Sequence, residues 1–141
     1  MSAYAGDVSV NDCWNALSED ERAILVDVRT SAEWGFVGVC DLSQLGKQPV
    51  LESWVLFPDM SPNMQFVDKL EGLGLDKDTP IYFLCRSGVR SQGAAAAMTQ
   101  AGYTQCFNIL AGFEGDVDEQ GHRGSLNGWK AAGLPWAWIQ R

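Results

Sequence analysis

The 141-residue chain predicts an α/β fold built on one open, parallel sheet. Three observations predict it. Short, largely apolar runs (Ala23–Asp27, Pro80–Leu84 and Gln105–Leu110) alternate with longer amphipathic segments. Runs that are apolar nearly throughout suit strands buried on both faces, as in a parallel sheet covered by helices. Capping residues and glycines stand where the intervening helices begin and end.

The elements follow in chain order. Gly6–Val8 adds an edge strand. Ser9 caps a first helix, on which Val10, Cys13, Trp14 and Leu17 fall at i, i+3, i+4 and i+7, one face. Ala23–Asp27 is the next strand, and Trp54–Phe57 is a further short apolar run. Ser61-Pro62 reads as a helix start, a cap followed by a first-turn proline. Phe66, Val67, Leu70 and Leu73 form the stripe of that helix up to Gly74. Strand Pro80–Leu84 is followed by an alanine-rich helix, Ser91–Ala101, closed by Gly102. Gln105–Leu110 is the last strand. Gly35–Gln48 and Gly112–Gly128 show no periodic pattern and are expected as long loops, a class that is commonly functional or mobile. Trp129, Trp136 and Trp138 are expected to pack a short terminal helix onto the core.

Length fits a single domain spanning residues 1–141. Apolar residues at 46% and charged residues at 20% exclude a disordered or collagen-like chain. A net charge of −8 repels phosphate backbones and anionic lipid, so neither nucleic acid nor a membrane surface is an expected partner. No run approaches the ~20 apolar residues that span a bilayer. Met1–Asp7 has neither the basic start nor the apolar stretch of a secretory leader. Cysteines 13, 40, 85 and 106 include no Cys-x-x-Cys pair, and His122 is the single histidine. That pattern calls for no metal and no other cofactor, and points to a reduced, cytoplasmic setting.

Chemistry is expected beyond the carboxyl ends of the strands, where open α/β sheets bind ligands. There Leu84 ends a strand and Cys85-Arg86-Ser87-Gly88-Val89-Arg90 leads into the helix at Ser91. In so tight a turn, successive backbone N–H groups converge into an anion cradle. The helix N-terminus and two arginines favour thiolate over thiol at Cys85. Gly88 permits the backbone conformation that such a loop needs. A thiolate held in an anion cradle can attack sulfur or phosphorus. Cys13 and Cys106 read as packing residues, and Cys40 as a loop residue. His122, beside Arg123, and the acidic run from Glu114 to Glu119 read as solvated surface.

This loop, Leu84 to Ser91, resembles the active-site loop of the rhodanese family of sulfurtransferases. Three further segments carry the resemblance: Leu25-Val26-Asp27-Val28-Arg29 with Glu33-Trp34, then Ile109-Leu110-Ala111-Gly112-Phe113, then Trp129 to Pro135. Together they cover nearly the whole chain. The resemblance implies a rhodanese-like fold, a central, mostly parallel five-stranded sheet flanked by helices on both faces. It implies a two-step relay in which Cys85 takes a sulfane sulfur from a small anionic donor (thiosulfate or a persulfide) and passes it to cyanide, a small thiol or a protein thiol. Arg86, Ser87, Gly88, Val89, Arg90 and Ser91 would form the substrate-binding loop. Arg86 and Arg90 are the candidates for the donor's anionic end; Arg90 could equally tie the loop to a carboxylate such as Asp27. Asp27 and Arg29 are expected as loop supports. The chain departs from the family at Gly35–Cys40, which carries no histidine, and in the long segment between Gly112 and Trp129.

Two other functions compete with this reading. A persulfide carrier serving one protein partner would use the same loop. A cysteine phosphatase needs Cys-x5-Arg, whereas the spacing here is Cys-x4-Arg and position 91 is serine. The shorter cradle suits sulfur better than a tetrahedral phosphate.

Overall fold

The structure is a computed structural model that describes residues 3–138. Residues 1–2 and 139–141, the outer ends of the single-domain expectation and the start of the Met1–Asp7 stretch, lie outside the described residues. Strand β1 (Gly6–Val8) leads to helix α1 (Val10–Glu19), whose N-cap Ser9 accepts the Asp12 amide at 3.0 Å. Strand β2 (Ile24–Asp27) is followed by α2 (Ser31–Val37) and the two-residue β3 (Val39–Cys40). After a 3-10 turn at Ser43–Leu45 come β4 (Val50–Leu51), β5 (Val55–Leu56), β6 (Ser61–Pro62) and α3 (Phe66–Glu71). Then come β7 (Ile81–Leu84), α4 (Arg90–Gln100), β8 (Cys106–Ile109) and β9 (Trp136–Ala137).

Five strands form one sheet in the order β1-β8-β7-β2-β4, and every pairing in it is parallel. The period-2 alternation of strand side chains divides the core in two. Leu25, Tyr82, Leu84 and Ile109 point to one face and meet Val10, Cys13 and Leu17 of α1, with Phe113 and Trp129. Val26, Ile81, Phe83 and Cys106 point to the other and meet Phe66 and Leu70 of α3 and Ala94, Ala95 and Met98 of α4. Helices thus cover both faces, as expected, and both faces of β7 are closed to water. Ser91, in the first turn of α4, reaches Cys85 just beyond the carboxyl end of β7, with Oγ 3.2 Å from Sγ.

Several local expectations are corrected. Ser61-Pro62 does not start a helix; it forms β6, antiparallel to β5. The Ser61 amide and hydroxyl both donate to Asp59, and α3 begins only after Gln65. Leu73 lies past the end of α3 and is exposed. Trp54–Phe57 is not a strand of the central sheet. Its Trp54 packs edge-on against Phe66, with ring centroids 5.1 Å apart, and β4 takes the sheet edge instead. Gly35–Gln48 is not one loop, because Thr30 and Glu33 form a capping box that nucleates α2. Cys40 is a buried strand residue rather than a loop residue. No terminal helix follows Trp129 among the described residues. Gly133 and Pro135 interrupt it, the Trp129 indole donates to the Pro135 carbonyl at 2.6 Å, and β9 pairs with β3.

Candidate active site

Cys85 is the first residue beyond β7, and α4 opens at Arg90, one residue earlier than the sequence indicated. The intervening loop is shaped from outside. The segment after β8 runs alongside it and supplies donors to its carbonyls. The Phe113 amide donates to Cys85 O at 2.8 Å, and the Glu114 and Gly115 amides donate to Arg86 O at 3.0 and 3.1 Å. Gly88 N–H donates to Cys85 Sγ at 3.0 Å. Among the described residues, the amides of Arg86, Ser87 and Val89 meet no protein acceptor.

Two glycines make this close fit possible. Gly88 has φ +98°, and a side chain there would press on the Ala111 amide. Gly112 has φ +61°, and an added Cβ would overlap the Cys85 carbonyl oxygen and lie 2.7 Å from the Arg86 carbonyl carbon. Gly112 belongs to one of the segments that carry the family resemblance, yet its part in forming the loop was not legible before the two segments were seen side by side.

Cys85 lies on the floor of a cavity of about 410 Å³ lined by Glu33, Met60, Arg86, Ser87, Val89 and Arg90. A larger recess of about 630 Å³, along Val117–Gln120 and Leu126, shares no residue with it and contains no cysteine. The two loop arginines differ. Arg90 is held by Glu33 through two bonds of 2.8 and 2.9 Å, so its carboxylate partner is Glu33 and not Asp27. Burial pushes the Glu33 carboxyl up, but the hydrogen bonds and charge of Arg90, with the Thr30 amide, outweigh it and leave the carboxyl below its usual range. Arg86 is exposed and has no acidic partner among the described residues. It is therefore the cation that the cavity offers to a ligand.

Asp27 and Arg29 are both fully buried and bonded to each other, Nε to Oδ1 at 2.9 Å and a terminal nitrogen to Oδ2 at 2.6 Å. Arg29 also donates to Gly38 O at 2.7 Å, and its guanidinium carbon lies 4.2 Å from the Phe113 ring centroid. The pair thus braces Phe113, whose amide grips the Cys85 carbonyl. Ser91 approaches Cys85 from α4, with Oγ 3.2 Å from Sγ. Sequence reasoning missed Glu33, Met60 and Asn108 as neighbours of the site. The Thr30-x-x-Glu33 capping box was the available signal for the first. Cys13, Cys40 and Cys106 are buried, and burial pushes all three thiols up.

A family model described as the STR4 middle domain matches residues 5–141. The chain belongs to that family. A protein of Rickettsia prowazekii, RP600, is 40% identical over 124 residues, covering 87% of this chain and 89% of that protein. A sulfurtransferase of Allochromatium vinosum is 29% identical over 119 residues, covering 84% of this chain and 82% of that one. The crystal structure of Rv0390 from M. tuberculosis superposes with a TM-score of 0.89 at 48% identity, over 96% of this chain and 99% of that one. A rhodanese-like domain protein from Staphylococcus aureus, 20% identical, shares the fold with a TM-score of 0.53 over 77% of this chain and 87% of its own. The fold of this STR4-family chain is rhodanese-like, and sulfur transfer is the general activity that its named relatives support.

Proposed function

We propose that the chain is a thiosulfate sulfurtransferase-like enzyme working through a persulfide on Cys85. The Cys85 thiolate attacks the outer sulfur of thiosulfate, a new S–S bond forms, the old S–S bond breaks, and sulfite leaves with its electron pair. A thiophilic acceptor then attacks the outer sulfur and releases the Cys85 thiolate. The observation that carries this reading is the Gly88 amide directed at Sγ from a loop whose Arg86, Ser87 and Val89 amides meet no protein acceptor among the described residues, beside a cavity with a free Arg86. Donors fixed in place before charge develops stabilise an anionic persulfide without reorganisation. In this reading Arg86 binds the donor's anionic end. Arg90, neutralised by Glu33, positions the loop together with Ser87, Val89 and Ser91. Asp27 and Arg29 support it through Phe113.

A second reading, a persulfide carrier serving one protein partner, is favoured by the cavity rim. Met60 and Val89 are 48% and 71% exposed beside Cys85, and apolar side chains at a pocket mouth suit a thiol presented on a protein surface. The same proposal takes residues 1–141 as one rhodanese domain. It also assigns a cytoplasmic setting, consistent with four unpaired thiols; no helix among the described residues is long and apolar enough to cross a membrane.

The test is intact mass before and after thiosulfate, with Cys85→Ser as control. A gain of about 32 Da, one sulfur, on the wild type and none on the variant is the expected result. Rapid turnover with cyanide then identifies the enzyme, and slow turnover with a stable adduct identifies the carrier. No mass gain removes both.

A further inference from the structure

A polar chain leads from Cys85 to the edge of the sheet. Ser91 and Asn108 are both fully buried. The Ser91 hydroxyl donates to Asn108 Oδ1, Asn108 Nδ2 donates to Asp7 Oδ1 at 3.0 Å, and the Tyr4 hydroxyl donates to the same Asp7 oxygen at 2.8 Å. The parallel register of β1 on β8 sets Asp7 directly beside Asn108.

A carboxylate only accepts, so Asp7 fixes which way the Asn108 amide points. Its NH₂ faces Asp7, and its carbonyl must face Ser91. That carbonyl takes the one hydroxyl proton Ser91 has. With its proton given to Asn108, Ser91 turns lone pairs toward Cys85, so across the 3.2 Å contact it can accept an S–H but cannot donate. Such a contact holds the thiol and opposes the thiolate. For Ser91 to donate to a thiolate, its hydroxyl must leave Asn108. A buried carbonyl is then orphaned unless the amide turns over, and turning it sets the Asn108 oxygen against the Asp7 carboxylate.

We propose that Asp7, on the edge strand, is a positioning residue that restrains ionisation of Cys85 by locking Asn108 and, through it, the Ser91 hydroxyl. This rests on the reading of Cys85 as the nucleophile. Other charged groups at the site are Arg86 beside Cys85, Arg90 from α4, Glu33 from α2 behind Arg90, and Asp27 at the carboxyl end of β2. Gly88 N–H opposes Ser91 by favouring the thiolate. None of these groups is altered by a change at Asp7.

The test is the pH profile of Cys85 alkylation by iodoacetamide, followed by mass spectrometry of the Cys85 peptide in the full chain. Asp7→Asn is nearly isosteric and lets the Asn108 amide turn over. Its profile is expected to move toward lower pH by about one unit, about tenfold more alkylation below the midpoint. In a Ser91→Ala background the same substitution should change the rate by less than twofold. An equal shift in both backgrounds would mean that Asp7 acts through space by its charge and would overturn the proposal. So would an unmoved profile in Asp7→Asn alone. Should Ser91→Ala not fold, the Cys85 S–H stretch in the infrared, assigned by its loss in Cys85→Ser, decides. It should move from a hydrogen-bonded to a free-thiol frequency in Asp7→Asn, and an unmoved band overturns the coupling. Alkylation needs no sulfur donor, so absence of a persulfide would leave this result readable.

Discussion

Gly112→Ala should disable the loop without touching a reacting group. The left-handed conformation at position 112 costs an L-residue about 1–2 kcal/mol. The larger effect is steric. An added methyl 2.7 Å from the Arg86 carbonyl carbon must force the two segments apart by most of an ångström. The three amide bonds from Phe113, Glu114 and Gly115 to Cys85 O and Arg86 O would then lengthen or break. Each such bond contributes about 0.5–1.5 kcal/mol net, so the whole loss is roughly 3–6 kcal/mol. That is a large share of the ~5–15 kcal/mol that stabilises an ordinary domain. Gly121→Ala is the control. Its φ is +81°, but nothing lies within 4 Å of the added methyl, so only the conformational cost applies. Urea unfolding and thiosulfate-dependent mass gain, measured on both variants, separate the two effects. Gly121→Ala should lose about 1 kcal/mol and still gain sulfur. Gly112→Ala should lose several and gain none. Equal midpoints, with sulfur uptake at the wild-type rate in Gly112→Ala, would refute the clamp.

Three further outcomes follow from the charges around the cavity. Arg86→Ala should slow persulfidation at low thiosulfate by at least about tenfold, the worth of one charge-assisted hydrogen bond, with little change in melting temperature. Arg90→Ala should instead lower the melting temperature, because it leaves Glu33 without its partner. The Glu33 carboxyl is held below its unfolded value, so its stabilising contribution is complete above the ordinary carboxylate range and is lost as pH falls through the depressed folded value. The gap in melting temperature between wild type and Glu33→Gln should therefore be widest near neutrality and close in acid. A gap that does not narrow on acidification contradicts the ion pair.

Much of the fold was legible because its signals are local. Ser9 capping α1, the apolar run of β7 and the alanines of α4 each state their element within a few residues. The β1 edge strand was legible for the same reason, short as it is. Ser61-Pro62 misled because a cap and a proline also suit a hairpin strand, and the partner that makes it one, Val55–Leu56, is not part of the local pattern. Trp129 was correctly assigned to the core, but its partner is a carbonyl six residues on rather than a helix neighbour.

The Asp27–Arg29 pairing was hidden, the sequence having offered Asp27 to Arg90, but the turn that carries Cys85 was readable from the order of residues, since a strand, a tight turn and a helix start are all written within one segment. The role of each cation was not. Arg86 and Arg90 look alike along the chain, and only the fold brings Glu33, 57 residues away, onto Arg90 and leaves Arg86 free. Nor does any local pattern join Asp7 to Asn108, 101 residues apart, or set Gly112 against the Cys85 carbonyl. Hydrophobic periodicity and caps act over one or two turns of chain, so sequence alone determines most of the longer elements and the loop that carries Cys85. Hydrogen bonds and ion pairs act over a few ångströms of space, so which groups hold that loop, and which are left for a ligand, is decided only when the sheet has been assembled.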